Sequence, residues 1–388
     1  MSSKVFIVLW LSFLIAPPLR ADEGLDRIMG RTLFARAWVQ APASTRASDG
    51  LGPLFNARSC AACHPKGTTA DFMPVAGGYA SIGLIARLGD ETGTPDPFFG
   101  VQLQNAAITG LSPEGTAILG MDNAPNITIV RGALAPNTRV SLRRAPVLAG
   151  RGRIDRIARA AILSNADPED INGDGISGRA HILQSGKIGR FGWKADTASL
   201  NAQIAGAFSI DIGLSSPRFP DHFADCTPQQ KSCRKNGDGS DTLGGGYELS
   251  AQIIELVAAY VRSIEPAGID NENGRALFTA TGCASCHKPQ LNDDNGKPVT
   301  IFSDLLLHDM GEALSDGVGA FGTKSNEWRT APLIGFRANA SRLLHDGRAP
   351  DIDTAISAHG GEATDARATY FNLPDETRIA LRAYLQNL

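Results

Sequence analysis

No stretch of this sequence is apolar for long enough to cross a membrane. The best candidate, Val5 to Ala16, has twelve almost wholly apolar residues, where a span needs about 18–20. Lys4 precedes it, and Pro17-Pro18 and the small Ala21 follow. That pattern predicts a secretory signal peptide over 1–21 and an exported chain with no membrane span. Charge of one sign is also missing. Lys and Arg number 37 against 40 Asp and Glu, and the pI is near 6.2, which argues against nucleic acid and against anionic membrane surfaces as partners. Aromatics are sparse at 6%, while glycine is abundant at 42 residues, so much of the chain is expected to be loop. Cysteine is scarce too, with six in 388 residues.

Four of those six stand in one repeated pattern. Cys60-Ala61-Ala62-Cys63-His64 reappears as Cys283-Ala284-Ser285-Cys286-His287. C-x-x-C-H is the attachment signature of c-type haem: two thiols form thioethers with the porphyrin vinyl groups, and the next residue is the proximal iron ligand. A zinc site would need four ligands in one place, usually two such clusters meeting, and a thioredoxin-like dithiol does not need the adjacent histidine twice. Two covalently bound haem c groups are therefore expected. The export signal agrees, because c-type haem is attached outside the bacterial cytoplasm, in the periplasm. The remaining pair, Cys226 and Cys233, is expected to form a disulfide closing a short loop in that oxidising compartment; a redox-active thiol pair is the alternative.

The repeat extends beyond the pentapeptide. Leu54-Phe55-Asn56-Ala57 before the first motif matches Leu277-Phe278-Thr279-Ala280 before the second, and Val257 to Ile264 is echoed by Leu381 to Leu388, both with apolar residues at helical spacing. Glu265-Pro266-Ala267-Gly268 punctuates the chain between them. The expected fold class is mainly α: two cytochrome c-like haem domains in tandem, 22–265 and 266–388. The first domain carries a long insertion containing loops and strands, with extended stretches at Val75–Leu88, Phe99–Ile108 and Ile127–Val130. No separate globular domain is expected there.

Within the insertion, Asp170, Asn172 and Asp174 sit at positions 1, 3 and 5 of half an EF-hand loop, followed by a turn glycine; position 12 is His181 instead of glutamate. The stretch is either a structural calcium site completed by other residues or a plain Asx/Gly turn. A helix is expected from Ser199 to Phe208. Histidine is unevenly distributed. None lies between His64 and His181, whereas the second domain has His308, His345 and His359 together with Met310. An iron with both axial positions filled carries electrons, and an open one does chemistry. The second haem can readily find a sixth ligand, while the first is left with an exchangeable position.

Taken together, these residues resemble the bacterial dihaem cytochrome c peroxidase and MauG superfamily. The resemblance rests on two C-x-x-C-H domains, a Trp-Gln-acid segment in the first, and Thr330-Ala331-Pro332-Leu333, His345-Asp346-Gly347 and Ala355-Ile356 in the second. Asp49 to Cys60, Asp174 to Arg179 and His359-Gly360-Gly361-Glu362-Ala363 are similar, more closely, to its dihaem oxidoreductase subfamily, some members of which have been labelled thiol oxidoreductases. The likeness covers nearly the whole mature chain. It implies that Trp193 lies between the haems, and that Gln203, ten residues on, and Asp211, eighteen on, line the distal face of the first haem. Asp211 stands in Asp-Ile-Gly where the family has Glu-Met-Gly. His359 occupies the position of the family's sixth ligand to the second haem, which is Met in the peroxidases and Tyr in MauG. Ligation by His287 and His359 is expected, with Met310 the runner-up and His308 and His345 behind it. The displaceable distal histidine of the peroxidases has no counterpart here.

The function so implied is a periplasmic, peroxidase-like dihaem oxidoreductase. Hydrogen peroxide would be reduced opposite His64, with Asp211 and Gln203 moving the proton and Trp193 passing electrons to the second haem. Exchange partners would be a small cytochrome c or cupredoxin, or a protein substrate, and the chain would be a monomer or homodimer. The competing classes are a non-catalytic dihaem electron carrier, with Met73 or Met121 closing the first iron, and an oxidase or oxygenase using O₂ on an organic or protein substrate.

Overall fold

The computed structural model describes residues 23–235, 239, 245–338 and 342–388; the expected signal peptide lies outside them. Helix Ala251–Arg262 begins at Ser250, whose side chain accepts from the Ile253 N–H, the usual way of satisfying an orphan donor of the first turn. Its Ile254, Val257, Ala258 and Val261 are buried at the i, i+3, i+4, i+7 spacing of one helical face. They pack against helix Glu23–Ala35, where Leu33 and Phe34 are buried. The approach is close: a Cβ on Gly30 would lie 1.9 Å from the Leu256 carbonyl oxygen. The second unit repeats the arrangement with Glu272–Ala280, capped by Asn271, against Asp375–Gln386. There Phe278, Phe302 and Tyr384 meet edge to face, a geometry that adds about 0.5–1.5 kcal/mol per pair to area burial.

The expectation of a mainly α chain is corrected. About 30% of the chain is helical and 18% is strand, so no helical class dominates. The strands come chiefly from the insertion. Met73–Val75, Gly78–Ala80, Gly115–Gly120 and Pro125–Ile129 form a four-stranded antiparallel sheet. Leu84–Gly89 pairs separately with Arg139–Arg144, Leu84 opposite Arg144. Leu84, Ala86 and Leu88 are buried at the two-residue period of a strand, and with Phe72, Phe99, Leu103, Leu119 and Leu142 they make a core of their own. The sequence pattern anticipates three of these extended stretches and misses their partners Gly115–Gly120 and Arg139–Arg144.

The sequence repeat does not keep one structure. Leu277-Phe278 lies in a helix that ends at Ala280, just before Cys283. Leu54-Phe55 is a two-residue strand paired with Ala106–Ala107, and residues 36–59 separate the helix of its unit from Cys60. Local preference is weak in both places, and the insertion supplies a sheet partner that only the first copy can reach.

Candidate functional site

The first C-x-x-C-H forms one helical turn, Cys60–Cys63, capped by the Ser59 side chain. Burial, and then the charge of Asp211, push the Cys60 and Cys63 thiols up to about 12, so the Asp211 charge is felt at both. Its place follows from the backbone. Helix Leu200–Ala207 runs on into one π turn, Phe208–Ile212, closed by Gly213; such turns are frequent at functional sites. The Asp211 carbonyl accepts the N–H groups of Asn56 and Ala57 at 2.9 and 3.0 Å, which ties the turn to the segment leading into Cys60. In the side chain, Oδ1 accepts from Gln102 Nε2 at 2.7 Å. Burial raises the Asp211 pKa, and Gln102 and the Arg87 charge hold the rise back. Gln203 lies on the preceding helix, and its side-chain oxygen is buried without a hydrogen-bond partner.

His64 is half-buried, facing the backbone of Thr68 and Pro146, and desolvation takes its pKa down to about 4. Pro146 also lines a large cleft at the second motif, with Arg144 and Val147. The segment 144–147 therefore separates the two sites. Trp193 stands on this divide: its indole N–H donates to the Arg144 carbonyl at 3.0 Å, and its ring lines the cleft.

That cleft holds about 1640 Å³ of empty space, part of it open to solvent, and is bounded by Cys283, Cys286, His287, Met310 and His359. His287 Nδ1 meets the Phe302 carbonyl at 3.2 Å and His359 Nδ1 meets the Ala355 carbonyl at 2.7 Å. A carbonyl can only accept, so each ring carries its proton on Nδ1 and keeps the Nε2 lone pair, the arrangement of a metal-binding imidazole. Burial lowers both pKa values, that of His287 to about 4, and keeps the rings neutral. His308 is different. Its nitrogens face Glu362 at 2.6 Å and Asp304 at 3.0 Å. Burial alone would lower its pKa, but the bonds to Asp304, Cys286 and Glu362 carry it up to about 12. A doubly engaged imidazolium has no lone pair for iron. His345 is stacked on Trp328 at 3.7 Å between ring centroids.

Two cations on the cleft wall, Arg151 and Arg329, hydrogen-bond among the described residues to backbone carbonyls alone: Arg151 to those of Pro332 and Ile334, Arg329 to those of Gly192 and Thr330. Burial and their mutual repulsion lower Arg151 to about 9, and burial lowers Arg329 to about 10. A haem brings two carboxylates and an iron into an apolar slot. Buried cations, paired thiols and two Nε2 lone pairs fit that group.

The other predicted residues fall outside these two sites. Asn172 and Asp174 are exposed and Asp170 is half-buried, and their side-chain oxygens take backbone N–H groups of their own loop. His181 points elsewhere, to the carbonyls of Lys194, Ala195 and Phe321. Cys226 and Cys233 are paired, with Cα atoms 6.1 Å apart. Sequence reasoning missed Gln102, Arg87 and Asn56. The one available signal was Val101-Gln102-Leu103-Gln104, in which glutamines alternate with apolar residues.

The sequence model of the family described as "Di-haem oxidoreductase, putative peroxidase" matches residues 128–388. Among curated proteins none matches significantly. Two solved structures are similar over nearly their whole length. Hydrazine synthase of Kuenenia stuttgartiensis, from a crystal pressurised with 20 bar xenon, is 14% identical with a TM-score of 0.39, over 100% of this chain and 98% of that one. A MauG-like protein associated with microbial copper homeostasis is 15% identical with a TM-score of 0.41, over 98% and 95%. Similarity this low says nothing of shared chemistry.

Proposed function

This chain belongs to the di-haem oxidoreductase family, and from that premise we propose that it is a periplasmic peroxidase that reduces hydrogen peroxide at its first haem site and exchanges electrons through its second. Cys60 with Cys63 and Cys283 with Cys286 would attach the two haem groups as thioethers, with His64 and His287 as proximal ligands and His359 as the sixth ligand at the second site. When bound, the iron supplies the electron chemistry, and the protein supplies position, proton movement and electrostatics.

The observation that carries this reading is the tie of the Asp211 turn to the segment leading into Cys60, through the N–H groups of Asn56 and Ala57, with one Asp211 carboxyl oxygen anchored and no described residue donating to the other. Reduction of peroxide to two waters consumes two electrons and two protons. Asp211 accepts the proton from one peroxide oxygen and returns it to the other, so that water can leave. Gln203 offers a buried, unpartnered carbonyl oxygen as acceptor for a peroxide O–H. Trp193, on the divide between the sites, is the route for electrons. The carrier reading needs a thioether buried at the first iron, but Met73 and Met121 are 63% and 71% exposed. Electron exchange with a small cytochrome c, a cupredoxin or a protein substrate completes the proposal.

Asp211→Asn or Gln203→Ala should slow the reaction with peroxide at least roughly tenfold, a lower bound beside the ~10²–10⁴-fold that an acid–base group typically contributes, with haem content unchanged. Stopped-flow absorbance measures this. Unchanged rates would place the peroxide pocket elsewhere, and turnover with O₂ but not peroxide would favour the oxygenase class.

A further inference from the structure

We propose that Gln102 is a positioning residue for the Asp211 carboxyl group, and that Asp225, fixed by the Cys226–Cys233 loop, holds Gln102 in place. The inference rests on the peroxidase reading for its purpose, and on geometry for its content.

Gln102 is 0% exposed, and every polar atom of its side chain is engaged. Arg87 Nη1 donates to Oε1 at 3.1 Å. A guanidinium can only donate, so the oxygen must face Arg87 and the amide nitrogen must face the other way. There Nε2 donates to Asn56 Oδ1 and Asp211 Oδ1, both at 2.7 Å. The amide thus has one allowed orientation. It fixes which Asp211 oxygen is anchored and leaves Oδ2 for a substrate.

Gln102 is itself clamped. The backbone N–H groups of Val101 and Gln102 donate to Asp225 Oδ2 at 2.8 and 2.9 Å. A Cβ on Gly100 would lie 2.5 Å from Asp225 Oδ1, so the carboxylate is set against the backbone just before Gln102. Asp225 directly precedes Cys226. The disulfide loop docks on the insertion through Thr227 Oγ1 to the Phe98 carbonyl at 2.7 Å and through Gln230 to Glu114. One chain of contacts therefore runs from the disulfide through Asp225 and Gln102 to Asp211. The ionisable groups around it are Arg87, Asp225 and, by way of Gln104, Glu114; Cys60 and Cys63, as thioethers, would carry no charge.

The test is infrared titration of the purified holoprotein, with the protonated Asp211 carboxyl band assigned by its loss in Asp211→Asn. A donor to Asp211 favours the carboxylate, so Gln102→Leu should keep the band to a pH higher by about one unit, the scale of a hydrogen bond to a charged group. Asp225→Ala should do the same, while Asp225→Asn, which retains an oxygen for both backbone N–H groups, should restore the wild-type titration. An unshifted band in Gln102→Leu overturns the proposal, as does an Asp225→Asn variant that behaves like Asp225→Ala. If the band shifts as expected but the wild-type protein does not react with peroxide, the positioning role stands and the peroxidase reading falls.

Discussion

The two C-x-x-C-H sites share a pentapeptide and a proximal histidine and differ in almost everything brought to them. The first is surrounded by groups that hold or move protons: Asp211, the amides of Gln102 and Gln203, and behind them Glu114 and Asp225, whose pKa values burial pushes up to about 7. The second is an apolar cleft with cations on its wall and a second imidazole, His359, held by a carbonyl. On the proposed reading the motif sets where a haem would attach. What that haem can do depends on residues that arrive from more than a hundred positions away, as Gln102 does to Asp211.

The largest expected effect removes this difference. His359→Ala should abolish the low-spin ferric signal of the second haem in low-temperature EPR. Two high-spin irons would then replace one high-spin and one low-spin in the native protein. Persistence of the low-spin signal would pass the sixth-ligand role to Met310, which also lines the cleft.

Next comes the pH dependence of stability. Glu114 and Asp225 have folded pKa values raised above their unfolded ones, so the folded state binds more protons between about pH 4, set by Asp225, and about 7. Their contribution is fully present below that window and is lost as pH rises through it. Burial also raises one carboxyl of the second unit, that of Asp346, so the share of the first region is isolated by substitution. For Glu114 the full span is on the order of 3 kcal/mol. Thermal melts should show stability falling from pH 5 to pH 8, and Glu114→Gln should flatten that slope. A slope unchanged by the substitution would sink the assignment.

A smaller effect compares the two helix pairs. A Cβ on Gly30 would strike a backbone oxygen, whereas one on Gly274 would meet the Tyr384 side chain, 2.1 Å from its Cδ2. A ring can shift and a backbone within a helix cannot. Gly30→Ala should therefore destabilise more than Gly274→Ala, both within about 1–3 kcal/mol, as read by urea melts. Equal costs would mean that the second pair is as rigid as the first.

Much of this architecture was legible where the signal is local. The helix expected over Ser199–Phe208 spans Leu200–Ala207, and the two echoed segments end helices Ala251–Arg262 and Asp375–Gln386. The motif cysteines stand out by pattern, whereas Asp211 came only from the family resemblance. Fold class was not legible, because strands Gly115–Gly120 and Arg139–Arg144 owe their form to partners across the insertion, and Gly, Ala, Ser and Arg in them carry little strand preference. Nor was Gln102, since a buried amide is selected by the three groups it must satisfy, and those lie in three different segments.

The smallest expected effect concerns the loop at Asp170, Asn172 and Asp174. A calcium ion there would bind a loop that backbone bonds already tie. Gly175 N–H reaches both oxygens of Asp170 at 3.2 Å, Ile176 N–H reaches Asp174 at 2.9 Å, and Asp167 takes the N–H groups of Ile171 and Asn172. The loop is also joined to the second unit, through Ser177 to Glu362 at 3.0 Å, the same carboxylate that holds His308. With these bonds in place an ion adds little order, so removing divalent cations with EGTA should shift the melting temperature by less than about 2 °C, the scale of half a kcal/mol or so in a chain of this size. A larger shift would mean that the carboxylates turn from the backbone to a metal when one is supplied. It would then move the second site as well, because Glu362 would carry the change to His308 and Cys286.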